Sequence, residues 1–189
     1  MTKFFVSLLV VMALVLVSGC TTKPTSDQSD IDGLAQAIRE LGPEVDPGEA
    51  ERAARIAHTY SLQLAQDWQV TDPAIIHNAK VINGFRERGL CNDWAEALNK
   101  RLKQEGFRTL SMHWAISPPT DFRIIHHTAV ISRRGDTMYD GIILDPWRYG
   151  GVLFWSHTRA DDRYNWRPRL EVREELLKAS EARKAAKAG

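Results

Sequence analysis

Between Arg88 and Leu102 the chain reads RGLCNDWAEALNKRL. Cys91, Trp94, Ala95, Leu98 and Leu102 recur at i, i+3, i+4, i+7 and i+11, which places them on one stripe of a helix. Gly106 follows as a left-handed stop. A helix with a single apolar stripe must lay it on another element, so this segment needs a partner surface. Cys91 opens the stripe and therefore points toward that partner.

The partner surface lies downstream. Phe107 to Ser117 alternates, with Leu110, Met112, Trp114 and Ile116 on one side, and Pro118-Pro119 ends it. IIHHTAVISRR and GDTMYDGIILD read as neighbouring strands around Gly135-Asp136, with Pro146 ending the second after Asp145. GGVLFW is a further strand candidate. Upstream, the signals are helical. Asp30 caps a segment from Ile31 to Leu41 that stops at Gly42-Pro43. Asp46-Pro47-Gly48-Glu49 supplies an N-cap, a proline at the first helical position and a glutamate three residues after the cap, for a helix to about Val70. Thr71-Asp72-Pro73 restarts a helix that ends at Asn83-Gly84. Helices, then a cysteine-headed helix, then an antiparallel sheet make an α+β arrangement. From Leu170 onward the chain is rich in Ala, Glu, Lys and Arg and reads as a solvated helix.

The first 19 residues stand apart from the fold. Lys3 precedes the apolar run FFVSLLVVMALVLV, which is short for a membrane span of ~20 residues. It ends in Leu16-Val17-Ser18-Gly19-Cys20. This resembles the lipobox of bacterial lipoproteins, which implies cleavage before Cys20 and lipid on its sulfur and amine. More than one acyl chain anchors stably where one would not. Thr21, not an aspartate, follows Cys20, and by the same resemblance this favours the outer membrane, facing the periplasm. The expected organisation is a signal peptide over 1–19, a polar tether over 20–29, a folded domain over 30–168 and a charged helix over 169–189.

The formal net charge is +1, and loss of Lys3 with the leader brings it to 0 (1 − 1), so the chain has no electrostatic footprint for nucleic acid. Nothing in it specifies an oligomeric state. If Cys20 carries lipid, Cys91 is the one remaining thiol of two, with no disulfide partner in an oxidising compartment. It is either a small buried hydrophobe or a nucleophile. A nucleophile needs a lowered pKa, a base and a group to orient that base. Unpaired N–H groups at a helix start favour thiolate and can hold an oxyanion. Asp93 works against this, since a nearby carboxylate raises a thiol pKa. A strand histidine is the candidate base and Asp145 the candidate orienting group, although 36 and 18 residues separate the three (91 to 127, 127 to 145).

GLCNDWAEALNKRLKQEGF, HHTAVI and ILDPW, in that order, resemble the transglutaminase-like cysteine enzymes of the wider papain-like group. The resemblance covers about Val81 to Trp147. It implies a transglutaminase-like fold and a catalytic triad of Cys91, His127 and Asp145, used by a peptidase or amidase on a protein or peptide substrate. Family members often follow the histidine with Ala-Trp, whereas Thr128-Ala129 stand here. His126 and His127 point to opposite faces of a strand. His127 is chosen because it shares a face with Ala129 and Ile131, with His126 as the alternative base. No glutamine stands at the oxyanion position of papain-like enzymes, and Asn83 is the substitute candidate.

Cys91, His113, His126 and His127 are zinc-type residues, but the adjacent histidines diverge and no C-x-x-C or H-E-x-x-H occurs. No metal or organic cofactor is expected. Trp147, Tyr149, Trp155, Tyr164 and Trp166 read as core and loop packing, with a groove for a peptide or glycan strand as the lesser use. The rival to an enzyme is a non-catalytic envelope lipoprotein that uses the same fold to bind a partner.

Overall fold

The computed structural model describes residues 27–188; the expected leader and Cys20 lie outside them. Helix α1 spans Gln28–Arg39 and is capped by Asp27, whose carboxylate accepts from Ser29 N at 2.6 Å. The helix therefore begins before the expected Asp30 cap and takes in the last two residues of the expected tether. Helix α2 spans Pro47–Asp67, with Asp46 accepting from Glu49 N at 2.8 Å and Pro47 at its start, as the sequence predicts. Glu49 does not complete a capping box. It is buried and accepts from Arg108 N at 2.7 Å and Thr109 N at 2.8 Å, tying the start of α2 to the approach of the first strand.

Helix α3 spans Ala74–Ile82 and α4 spans Cys91–Lys103. The stripe of α4 is buried as its spacing requires: Cys91, Trp94, Ala95, Leu98 and Leu102 all face inward. Gly106 follows at φ 62°, the left-handed stop. Strand β1 is Leu110–Ser117, β2 His126–Arg133, β3 Ile142–Tyr149, β4 Val152–His157 and β5 the short pair Arg167–Pro168. A 3-10 turn, Met138–Asp140, separates β2 from β3, and the last helix, α5, spans Arg169–Ala188. Among the described residues this is an α+β fold of five helices and one five-stranded sheet, in the order β4-β3-β2-β1-β5 with every pair antiparallel.

The main core lies between helices and sheet. Leu34 and Ile38 of α1, Ala50, Ala53, Ala54 and Ala57 of α2, and Leu98 and Leu102 of α4 meet Leu110, Ala129, Ile131, Ile142 and Leu144. The small alanines of α2 let it approach its neighbours closely. On the other face, Ala115, Val130 and Ile143 pack with Met138 and Trp166. A third cluster gathers at the end of the sheet, where Leu64 and Ala65 of α2 meet Cys91, Trp94 and Trp147.

Two strand boundaries differ from expectation. β1 starts at Leu110 rather than Phe107, since Arg108 and Thr109 spend their amides on Glu49. Pro146 does not end β3, which runs on to Tyr149 through a bulge against β4. The β2–β3 ladder covers Ala129↔Leu144 to Ile131↔Ile142. Extending that register would set Pro146 opposite His127 (129 + 144 = 127 + 146). The proline thus sits where the ladder has already stopped, and its missing N–H leaves no partner unsatisfied.

Gly89 sets the entry to α4. Its φ is +125°, a backbone state that side chains rarely adopt, and a Cβ there would collide with the imidazole of His77. That ring is itself buried and held to Arg88 O at 2.9 Å. Gly89→Ala is expected to destabilise the protein by about 1–3 kcal/mol or more, read as a lower urea midpoint with unchanged slope. Gly84→Ala is the comparison: its φ is also positive but nothing lies within 4 Å, so it is expected to cost less.

Candidate active site

The start of α4 is built by its own side chains. Asp93 Oδ2 accepts from both Gly89 N and Leu90 N at 3.0 Å, and Trp94 Nε1 donates to Gly89 O at 3.0 Å. Asp93 is therefore turned back onto the cap. The thiol donates to Ile125 O at 3.7 Å, one residue before β2 begins and in the stretch that β3 does not pair with.

Asp145 pairs with His126, not His127. His126 Nε2 and Asp145 Oδ2 stand 2.8 Å apart, and both side chains are 1% exposed. A neutral ring beside a carboxylate carries its proton on Nε2, so Nδ1 presents a lone pair. That Nδ1 is buried and has no hydrogen-bond partner. The ring is held among Trp147, Tyr164 and Trp166, with centroids at 4.6, 4.6 and 5.3 Å.

The carboxylate is fixed by a longer chain of charge. Arg148 Nε donates to Asp145 Oδ2 at 3.0 Å, and its Nη2 donates to Asp161 Oδ2 at 2.7 Å. Trp166 Nε1 donates to the same Asp161 oxygen at 2.9 Å. The guanidinium also lies 3.8 Å from the Phe154 ring centroid. For Asp161, burial favours the neutral acid, but the hydrogen bonds from Arg148 and Trp166 outweigh it and hold the carboxyl below its ordinary range. The sequence reading missed Arg148 and Asp161. Residues i and i+3 of a regular strand point to opposite faces; the bulge after Asp145 brings Arg148 round to it.

The remaining candidates are placed elsewhere. His127 Nδ1 accepts from Trp114 Nε1 at 3.1 Å. Burial first, then the positive charges of Arg169 and Arg173, pushes its pKa down to about 4, so the ring is neutral at pH 7 with Nδ1 occupied. This corrects the expectation that Asp145 orients His127. Sharing a face with Ala129 and Ile131 carries His127 toward Trp114, while Asp145 lies beside the opposite-facing His126. Asn83 is also corrected: it ends α3, is exposed, and donates to Ala79 O at 2.7 Å, away from the thiol's contacts. His113 Nε2 lies 2.7 Å from Ser132 Oγ. Among the described residues no three His, Cys, Asp or Glu converge as metal ligands.

The thiol is not activated in this arrangement. Cys91 is 6% exposed, and burial pushes its pKa up from 9.0 to about 11. The Asp145 charge adds to the rise, while the N–H groups of His127, Asn92 and Cys91 oppose it. Helix-start amides therefore act in the expected direction, but desolvation wins. A thiol whose folded pKa is raised contributes stability that is intact below pH 9 and lost as pH rises through 11.

No protein-family model, curated protein or solved structure matches this chain.

Proposed function

We propose that the chain is a lipid-anchored cysteine hydrolase of transglutaminase-like architecture, a peptidase or amidase held at Cys20 on the periplasmic side of the outer membrane. Cys91 is its nucleophile, His126 its base and Asp145 the group that orients His126. The observation that carries this reading is the buried His126–Asp145 pair, with a free Nδ1 on the residue next to Ile125, whose carbonyl accepts from the thiol.

In this reaction the thiol proton passes to His126 Nδ1 and sulfur adds to the amide carbonyl carbon. The oxyanion is held by the amides of Cys91 and Asn92. His126 then returns the proton to the leaving amine as the C–N bond breaks. Water, deprotonated by the same Nδ1, hydrolyses the thioester and frees the thiol. An amine in place of water would give acyl transfer, and the abundance of water favours hydrolysis.

Substrate must reach Cys91, which is buried. Trp147 packs in the same cluster as Cys91, and its Nε1 donates to Asn78 Oδ1 of α3 at 3.0 Å. Iodoacetamide is expected to label native Cys91 slowly at pH 7. The rate should rise about tenfold per pH unit toward a midpoint near 11, because only ~10⁻³ of the thiol is ionised at pH 8. Asn78→Ala should raise the rate by roughly fivefold at fixed pH by freeing Trp147, a hydrogen bond worth ~1 kcal/mol. Capture of Cys91 by a peptide chloromethyl ketone, located by mass spectrometry and lost in His126→Ala, is the direct test of the hydrolase.

The depth of the sulfur also favours a second reading, a non-catalytic envelope lipoprotein in which Cys91 is a packing residue. Labelling that appears only on global unfolding, with no capture by the ketone, selects that reading.

A further inference from the structure

Helix α3 is turned inside out. Its His77 and Asn78 are 1% and 8% exposed, while Ile75, Ile76 and Ile82 are 60%, 51% and 75% exposed. At 100° per residue Ile75, Ile76, Ala79 and Ile82 fall within about 120° of one face. Phe85, in the turn that follows, is 72% exposed. In an ordinary surface helix the isoleucines face the core and the polar side chains face water. Here Asn78 Oδ1 accepts from Trp147 Nε1 and His77 Nε2 bonds to Arg88 O, so the orientation is held by specific bonds, although His77 Nδ1 is buried without a partner. The outward face has no covering partner among the described residues.

We infer that the outer face of α3, with Phe85, is a membrane-contact surface that rests in the headgroup layer of the bilayer. Two observations choose lipid over other occupants. First, Arg86 and Arg88 stand against Glu87 beside this face, a local net charge of +1 (2 − 1), Lys80 being paired with Asp72 at 2.6 Å. A basic margin around an apolar face matches an anionic bilayer surface. Second, Asp27 stands seven positions after Cys20 (27 − 20), so a lipid on Cys20 confines the start of α1 to within about 25 Å of its bilayer. At that range contact with lipid is effectively intramolecular, and a small apolar face suffices. This second point rests on the lipid-anchor reading; the outward isoleucines and the basic margin do not.

The test uses the full-length protein with nitroxide labels at Ile82→Cys and Phe85→Cys, and at Lys178→Cys on the polar α5 as control. Cys91 is left in place, and its freedom from label is checked by mass. Each protein is mixed with vesicles of phosphatidylethanolamine and phosphatidylglycerol, and collision with oxygen and with a nickel chelate is measured by power-saturation EPR. The oxygen-to-nickel ratio is expected to rise several-fold at positions 82 and 85 and to stay aqueous at 178. Aqueous ratios at 82 and 85 in protein that co-sediments with the vesicles would overturn the inference. So would label–label broadening at 82 and 85 without vesicles, which assigns the face to a second copy. The mass of the Cys20 peptide reports the anchor separately. If it carries no acyl group the anchor reading falls, and the same ratios at excess lipid still decide the contact surface.

Discussion

His126→Ala lowers turnover of a peptide amide by on the order of 10² to 10⁴-fold, while His127→Ala leaves it within about threefold, if His126 Nδ1 is the proton acceptor. The histidines are adjacent in sequence, similar in size and both largely buried, so a general packing effect would not separate them. Their chemistry does. His126 has a carboxylate on Nε2 and nothing on Nδ1, the state a base requires. His127 has Nδ1 occupied by the Trp114 indole, and burial pushes its pKa to about 4. Protonating His127 would break the Trp114 bond and charge a site already facing Arg169 and Arg173. His126→Ala also leaves Asp145 paired with Arg148, so the variant is expected to fold and its loss to lie in kcat. Hydrolysis of a peptide anilide, with urea midpoints of both variants, checks this. A larger loss in His127→Ala at equal stability would reverse the assignment.

That Asp145 pairs with His126 rather than His127 shows where sequence stops. The stripe from Cys91 to Leu102 and the Asp46-Pro47 cap were legible, because each depends on neighbours within one helix. The α+β order was legible for the same reason. The candidate base depended on where β2 ends relative to β3. Alternation identified the inner face through Ala129 and Ile131, and that face was equated with the site. The thiol instead meets the chain at Ile125 O, just before β2 begins, and Asp145 pairs with the ring on the other face. The bulge that keeps Pro146 within β3 and swings Arg148 to Asp145 has no local signature beyond the proline itself. Asn83 was named for its amide alone, and the helix end that faces it outward is set by Gly84 at φ 77° and by Asn83 bonding to Ala79.

Arg148→Met should be among the most destabilising single substitutions in the described fold, by about 3–5 kcal/mol at pH 7. Methionine matches much of the arginine's length and keeps contact with Phe154, so the effect isolates the charge. Removing it strands Asp145 and Asp161, whose side chains are 1% and 3% exposed, without their shared cation. The pH dependence gives a second reading of the same cause. In the native chain Asp161 is held below its ordinary pKa, so its contribution is present above pH 3.8 and fades as pH falls through the lowered value. In Arg148→Met burial is left as the main influence on the Asp161 carboxyl, which then takes up a proton more readily than in the unfolded chain, so the variant recovers relative stability as pH falls from 7 toward 4. The gap between variant and native urea midpoints therefore narrows on acidification. Asp161→Asn in the Arg148→Met background should restore part of the loss at pH 7, since it removes one of the two stranded charges and keeps an acceptor for Trp166. A pH-independent gap, or no rescue by Asp161→Asn, would mean that Arg148 acts through its packing against Phe154 and Tyr164 rather than by holding the carboxylate that orients His126.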